Sequence, residues 1–217
     1  MKEHIIRKIE EEKIIAIVRG VGPEQCMKVA NALYAGGIRL MEITYDQKNP
    51  SSFQATADAI EAIGKAYEGK MLVGAGTVTS TELVEMTARA GGKYIISPDV
   101  NVDVIRRTCE LNMVSMPGAM TPTEVVVAHN AGADFVKLFP AGNLGIAYVK
   151  AIRAPISHVK LMAVGGINEK NIPEFLRAGI CGVGVGGNLA NKAWIEAGEF
   201  EKIMETAKTM IAAIREA

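Results

Sequence analysis

The stretch Ala131-Gly132-Ala133-Asp134-Phe135-Val136-Lys137-Leu138-Phe139-Pro140 carries the helix stop and the strand of this chain's structural repeat in ten residues. Its glycine ends a helix by supplying the left-handed conformation that side chains resist. The apolar run that follows is short, rich in β-branched and aromatic residues, and closed by proline, as expected of a buried parallel strand. The same punctuation recurs at Ala35-Gly36-Gly37, Ala90-Gly91-Gly92 and Ala178-Gly179. Working outward, strands are expected at Ile14–Val18, Ile38–Thr44, Met71–Gly76, Lys93–Ser97, Met113–Pro117, Phe135–Phe139, Lys160–Val164 and Gly182–Val185. Helical patterns lie between them at Pro23–Ala35, Ser52–Tyr67, Ser80–Ala90, Asp103–Leu111, Pro122–Ala131 and Glu169–Ala178, with a last helix over Glu199–Glu216. Thr121-Pro122 marks one helix start, Ser80-Thr81-Glu82 another, and Asn168 is placed to cap the helix after Gly165-Gly166. Eight βα units in 217 residues predict one α/β domain over 1–217, a (β/α)8 TIM barrel. The rival, an open doubly wound sheet, would need a G-x-G-x-x-G turn after the first strand, and there is none.

Composition narrows the partners. Lysine plus arginine balance aspartate plus glutamate at 24 each, and no basic cluster is interleaved with aromatics. Nucleic acid and anionic membrane surfaces are therefore not expected, and a small metabolite is. Cys26, Cys109 and Cys181 are far apart and odd in number, which suits reduced thiols. The run Ile14–Val18 is too short for a signal sequence or a membrane span, so the expected location is cytoplasmic. His4, His129 and His158 are scattered, and no clustered ligand set calls for a metal or other cofactor. The methionines, including Met113, Met116, Met120 and Met162, are expected to fill barrel layers.

Chemistry is expected at the C-terminal ends of the strands. Lys137 sits inside an apolar strand, where burial disfavours the ammonium and frees a neutral amine to attack a carbonyl. The alternative is a strand-end lysine whose stem packs while its head reaches water. The period-2 phase places Ile15, Ile17 and Arg19 together, Leu40, Glu42 and Thr44 together, Val73, Ala75 and Thr77 together, and Phe135, Lys137 and Phe139 together. Arg19, Glu42, Thr77 and Lys137 would then converge, either as a reactive group or as a structural ion-pair network. Two glycine-rich turns, Gly165-Gly166 and Gly186-Gly187, follow the last two strands, where exposed backbone N–H groups commonly hold phosphate.

These segments resemble the class I 2-keto-3-deoxy-6-phosphogluconate and 4-hydroxy-2-oxoglutarate aldolases over nearly the whole chain. The resemblance is carried by Ile17-Val18-Arg19, Gly36 through Thr44, Val73-Gly74-Ala75-Gly76-Thr77-Val78, Ile96-Ser97-Pro98, Met116 through Glu124, Val136 through Ala141, and Gly165-Gly166-Ile167. It implies a metal-independent, cofactor-free lyase that cleaves a 2-keto-4-hydroxy acid to pyruvate and glyceraldehyde 3-phosphate or glyoxylate. It also implies a compact homotrimer. Lys137 matches the Schiff-base lysine, and Glu42 the general acid/base that moves protons through a bound water. Thr77 matches a carboxylate-holding group, Arg19 a contact for an anionic end, and Pro98 with the four glycines a part of the substrate site. Three departures bear on the substrate. Asp46 stands where many relatives carry a carboxylate-binding arginine, and Val164 and Gly187 stand where relatives often place Thr and Ser. They motivate the expectation that a non-phosphorylated 2-keto-3-deoxy acid is preferred. A phosphosugar isomerase or epimerase using Glu42 as base, and a non-catalytic binding barrel, are the other readings left open.

Overall fold

A computed structural model describes residues 2–217. The elements run α1 (Lys2–Glu12), β1 (Ile14–Val18), α2 (Pro23–Ala35), β2 (Leu40–Thr44), a 3-10 turn at Pro50–Ser52, α3 (Phe53–Ala66), β3 (Leu72–Gly76), α4 (Thr81–Arg89), β4 (Tyr94–Ile96), α5 (Val102–Glu110) and β5 (Val114–Met116). They continue with β6 (Gly118–Ala119), α6 (Pro122–Asn130), β7 (Val136–Leu138), α7 (Ala141–Arg153), β8 (Leu161–Val164), α8 (Ile172–Arg177), β9 (Gly182–Val185), α9 (Lys192–Ala197) and α10 (Phe200–Arg215). Every pairing is parallel, in the order β5-β4-β3-β2-β1-β9-β8-β7-β6.

The nine segments occupy eight barrel positions. β5 and β6 are one strand interrupted at Pro117, which has no N–H to give the ladder. β5 pairs with β4 and β6 with β7, so Val114–Ala119 closes the ring. The Lys137 amide donates to the Pro117 carbonyl at 2.8 Å, and the Phe135 amide to that of Ser115, which carries the pairing across the break.

Two apolar layers result. Residues such as Val73, Ala75, Val136, Leu138 and Val183 face outward and pack under the helices, while Ile15, Leu40, Tyr94, Val114, Met116, Phe135 and Met162 fill the interior. Ile5 and Ile9 of α1 belong to the inner cluster, so this amphipathic helix covers the N-terminal end of the barrel. The helix-ending glycines behave as expected: Gly37, Gly91, Gly132 and Gly179 all have positive φ. Thr121 and Glu124 form a reciprocal capping box with Pro122 at the first turn of α6.

Several local expectations need correction. On β3 the inward residues are Leu72, Gly74 and Gly76, and Val73 and Ala75 point the other way. A Cβ on Gly74 would lie 2.1 Å from the Tyr94 ring, so neighbouring side chains already occupy the space that alternation assigned to larger residues. Helices α1, α7 and α9 fall outside the expected set: α1 precedes the first βα unit, Gly145 at φ 79° interrupts α7, and α9 has only six residues. The helix after Gly165-Gly166 starts at Ile172 with Asn171 in the N-cap position, and Asn168 instead turns the loop through its Oδ1, which accepts from the Lys170 amide. Met113, Met116 and Met162 are buried, but Met120 is 47% exposed. His129 and His158 are neighbours, with ring centroids 5.0 Å apart in an edge arrangement.

Candidate active site

Lys137 lies at the middle of β7, laterally opposite Gly118 on one side and Met162 on the other. The side chain enters the interior and is 7% exposed, which sets aside the strand-end lysine with its head in water. Its Nζ lies 5.1 Å from the centroid of the Phe139 ring. Burial pushes the Lys137 amine below the ordinary lysine range; Glu42 opposes that shift and the Arg19 charge adds to it.

Glu42, in the centre of β2, is 1% exposed. Burial raises its carboxyl pKa above the usual range, against the pull of Lys137 and Arg19. Room for the side chain is made by Gly76, where a Cβ would fall 1.6 Å from Glu42 Oε1. Beneath it the Tyr94 ring covers Gly74, and the Tyr94 hydroxyl donates to the carbonyls of Met41 (2.7 Å) and Leu72 (3.2 Å). Glu42 Oε2 and Thr44 Oγ1 are buried without a hydrogen-bond partner. Among the described residues, no direct ion pair joins Glu42 to Lys137 or Arg19, so the tightly paired structural network weighed from the sequence is not formed. The carboxyl and the amine are two separate, poorly solvated groups.

Above them opens a cavity of about 670 Å³ at the C-terminal mouth of the barrel. Of the nine expected site residues, Arg19, Thr77, Pro98, Lys137, Gly165, Gly166, Gly186 and Gly187 line it, and Glu42 is buried outside the lining. Thr77 does not reach it by strand phase: it follows β3 with φ 57°, and the left-handed step turns its side chain toward the mouth. Arg19 Nη1 donates to Thr77 Oγ1 at 3.3 Å, and Gln47 Nε2 donates to the Thr77 carbonyl at 2.8 Å. Asp46 lies outside this lining; its Oδ1 accepts the Lys48 amide in a turn of its own.

The glycine turns are packed against one another. Gly165 and Gly166 have φ of 88° and 74°. The Gly142 amide at the start of α7 donates to the Gly165 carbonyl at 2.7 Å, and a Cβ on Gly142 would meet that oxygen at the same separation. Asn188 Nδ2 donates to the Ile167 carbonyl at 2.8 Å, which ties the second turn to the first. Among the described residues, the amides of Gly166, Gly187 and Asn188 donate to no protein acceptor, so they remain available to an anion at the cavity edge. No group of three or more His, Cys, Asp or Glu side chains suited to a metal occurs among the described residues.

Sequence reasoning passed over four contributors: Gly76, Tyr94, Thr44 as a site residue, and Gln47. The first had a readable signal, since alternate glycines at 74 and 76 on the strand beside a buried glutamate mark a surface from which side chains are excluded. Thr44 was placed in phase with Glu42, but its orphaned hydroxyl is visible only in three dimensions. Gln47 carried no signal.

Comparison with known proteins gives a consistent result. The family described as KDPG and KHG aldolase matches residues 5–206. The chain is 35% identical over 206 residues to a 2-dehydro-3-deoxy-6-phosphogalactonate aldolase of Escherichia coli, covering 94% of this chain and 95% of that one. A solved structure described as native KDPGal superposes with a TM-score of 0.85 at 34% identity over 94% of each chain. The KDPG aldolase of Legionella pneumophila, solved with pyruvate captured as a covalent carbinolamine, superposes at 0.84 with 25% identity over 97% of this chain and 98% of that one.

Proposed function

This chain belongs to the KDPG and KHG aldolase family, whose members are lyases, and from that premise we propose that it is a metal-independent Schiff-base aldolase acting through Lys137. Its substrate is a 2-keto-3-deoxy-6-phospho sugar acid, cleaved reversibly to pyruvate and glyceraldehyde 3-phosphate, with 4-hydroxy-2-oxoglutarate, which yields glyoxylate, as the shorter alternative. The observation that carries the reading is the buried Lys137 amine at the floor of the cavity with no direct counter-ion and a pKa lowered by burial.

The neutral amine attacks the C2 keto carbon, and loss of water from the carbinolamine leaves a protonated imine. When the C3–C4 bond breaks, its electron pair flows into that imine, and a proton leaves the C4 hydroxyl while one is taken up by Glu42 through the bound water, so that the aldehyde departs and an enamine of pyruvate remains. Protonation at C3 and hydrolysis release pyruvate and restore the amine. Arg19 and Thr77, linked by their hydrogen bond, meet the carboxylate end beside Pro98. The free amides about Gly165-Gly166 and Gly186-Gly187 receive the distal anion.

Two features favour a phosphorylated acid over the non-phosphorylated one. Asp46 is not part of the cavity lining, its Oδ1 accepting the Lys48 amide instead, and the unused amides supply donors that Val164 and Gly187 lack in their side chains. The relative named for a phosphogalactonate points the same way. The same proposal treats 1–217 as one catalytic domain acting in the cytoplasm; no helix among the described residues is long and apolar enough to cross a membrane. It includes a homotrimer, to which the exposed apolar side chains of Val126 and Val127 on α6 are open.

The test is intact mass after incubation with pyruvate and sodium borohydride, with peptide mapping and a Lys137→Ala control. A reduced pyruvyl adduct on Lys137 is expected. A folded protein that takes up no adduct would refute the imine and bring forward the isomerase or binding-barrel reading.

A further inference from the structure

Two buried polar atoms of the barrel interior have no protein partner, Glu42 Oε2 and Thr44 Oγ1. They stand two residues apart on β2 and so face inward together. In the ladder Thr44 is opposite Gly76, the residue over which the Glu42 carboxyl folds. The hydroxyl and the carboxyl therefore both lie beside Gly76 on one inward face, without bonding to each other. Thr44 is 5% exposed, so bulk solvent does not serve it. Buried hydroxyls in native proteins are overwhelmingly hydrogen-bonded, and a polar recess with two or more partners is a site for an ordered water. Lys137 lines the cavity whereas Glu42 and Thr44 are buried outside its lining, an arrangement that suits an intermediary between Glu42 and a substrate on Lys137.

We propose that Thr44 is a positioning residue of this site: its hydroxyl, together with the Glu42 carboxyl, holds the bound water that the family resemblance already implies for proton transfer between Glu42 and the substrate on Lys137. The inference rests on the Schiff-base reading above. The Thr44 hydroxyl donates to the water oxygen and leaves the other lone pair facing the cavity. As the C3–C4 bond breaks, the water passes one proton to ionised Glu42 and takes one from the C4 hydroxyl, so it is regenerated and the charge balances. The reverse transfer serves condensation. The titratable groups facing Glu42 are Lys137 on β7, Arg19 beyond β1 and Tyr94 on β4.

Three proteins test this: wild type, Thr44→Val, which keeps the shape and deletes the hydroxyl, and Thr44→Ser, which restores it. For each, borohydride trapping of pyruvate on Lys137 reads imine formation, and cleavage kinetics across pH read the proton relay. Thr44→Val is expected to trap pyruvate as wild type does, while its kcat falls about tenfold or more and KM stays within about twofold. Its acidic kcat limb should move to higher pH, because the water that hydrogen-bonds the ionised carboxylate is no longer held in place by the hydroxyl. Thr44→Ser should recover both properties. Should Thr44→Val fail to fold by circular dichroism, Thr44→Ala against Thr44→Ser makes the same comparison. An unchanged kcat and acidic limb in the variant lacking the hydroxyl, or failure of serine to restore them, overturns the assignment. A wild-type protein that traps no pyruvate overturns the Schiff-base reading itself, and a trapping wild type with an indifferent Thr44→Val overturns the role of Thr44 alone.

Discussion

Replacing Gly76 by alanine should separate folding from catalysis. The added methyl would lie 1.6 Å from Glu42 Oε1, 2.4 Å from its Cδ and 2.7 Å from its Cγ, whereas ordinary contact begins near 3.4 Å. The carboxyl must therefore retreat by about 1.8 Å, more than the 1 Å misplacement that can cost a reaction on the order of a hundredfold. The obstructing atoms belong to the end of a flexible side chain, and Gly76 is not in the left-handed region, so the backbone accepts alanine. The expected outcome is a folded protein whose kcat for cleavage falls on the order of 10²–10⁴-fold, the usual contribution of a positioned acid/base, equivalent to about 3–5 kcal/mol of barrier. The assay couples pyruvate release to lactate dehydrogenase, with thermal melting as the folding control. Gly74→Ala is the contrast, since its methyl would meet the Tyr94 ring at 2.1 Å and the Tyr94 carbonyl oxygen at 2.5 Å. Backbone yields less readily than a side-chain end, so that variant should lose roughly 1–3 kcal/mol of stability or more. Turnover of Gly76→Ala within about threefold of wild type, below any acid/base contribution, would refute the placement of Glu42 as the proton-transfer group.

Other perturbations test separate parts of the site. Glu42→Gln should abolish cleavage yet raise the melting temperature at neutral pH. The folded-state pKa of Glu42 lies above its unfolded value, so the protonated form favours the native state, and that advantage is lost as pH rises from the unfolded value near 4.5 through the folded one. The difference in Tm between variant and wild type should vanish in acid and grow with pH; a variant less stable than wild type at neutral pH would contradict the sign. Gly142→Ala would drive a methyl into the Gly165 carbonyl at 2.7 Å and the Gly166 Cα at 2.8 Å, displacing the first glycine turn. KM for a 6-phosphorylated substrate should rise by about tenfold, the equivalent of one charge-assisted hydrogen bond, with pyruvate trapping unchanged. Equal losses on phosphorylated and non-phosphorylated acids would remove the anion from those turns.

Much of the barrel was legible because its repeat is written in punctuation. Gly37, Gly91, Gly132 and Gly179 each end a helix in the conformation that their sequence context implies, and the strands after them begin within a few residues of expectation. Lys137 and Glu42 were legible for a different reason, since a charged residue inside an apolar strand has few explanations. The phase of β3 was not legible. Alternation assigns the bulkier of two neighbouring residues to the interior, but at this level the interior is filled from other strands by Tyr94 and Glu42, and glycine is what fits. Thr77 enters the site through a left-handed turn that no periodicity encodes. Helix α7 escaped notice because the glycines that let it approach the Gly165-Gly166 turn are the residues that dilute a helical pattern.

That contact between Gly142 and Gly165 has a consequence for selectivity. Gly142 is five residues beyond Lys137 on the same run of chain, and Gly165 opens the turn proposed to receive the distal anion. A main-chain hydrogen bond of 2.7 Å joins the two, with no side chain between them to flex or re-pack. The span between the reactive amine and the anion cradle is thus a fixed gauge built from peptide units. A phosphorylated substrate is measured along its carbon chain before its stereochemistry is consulted, and phosphorylated acids one carbon longer or shorter should lose the contact of their phosphate with the cradle.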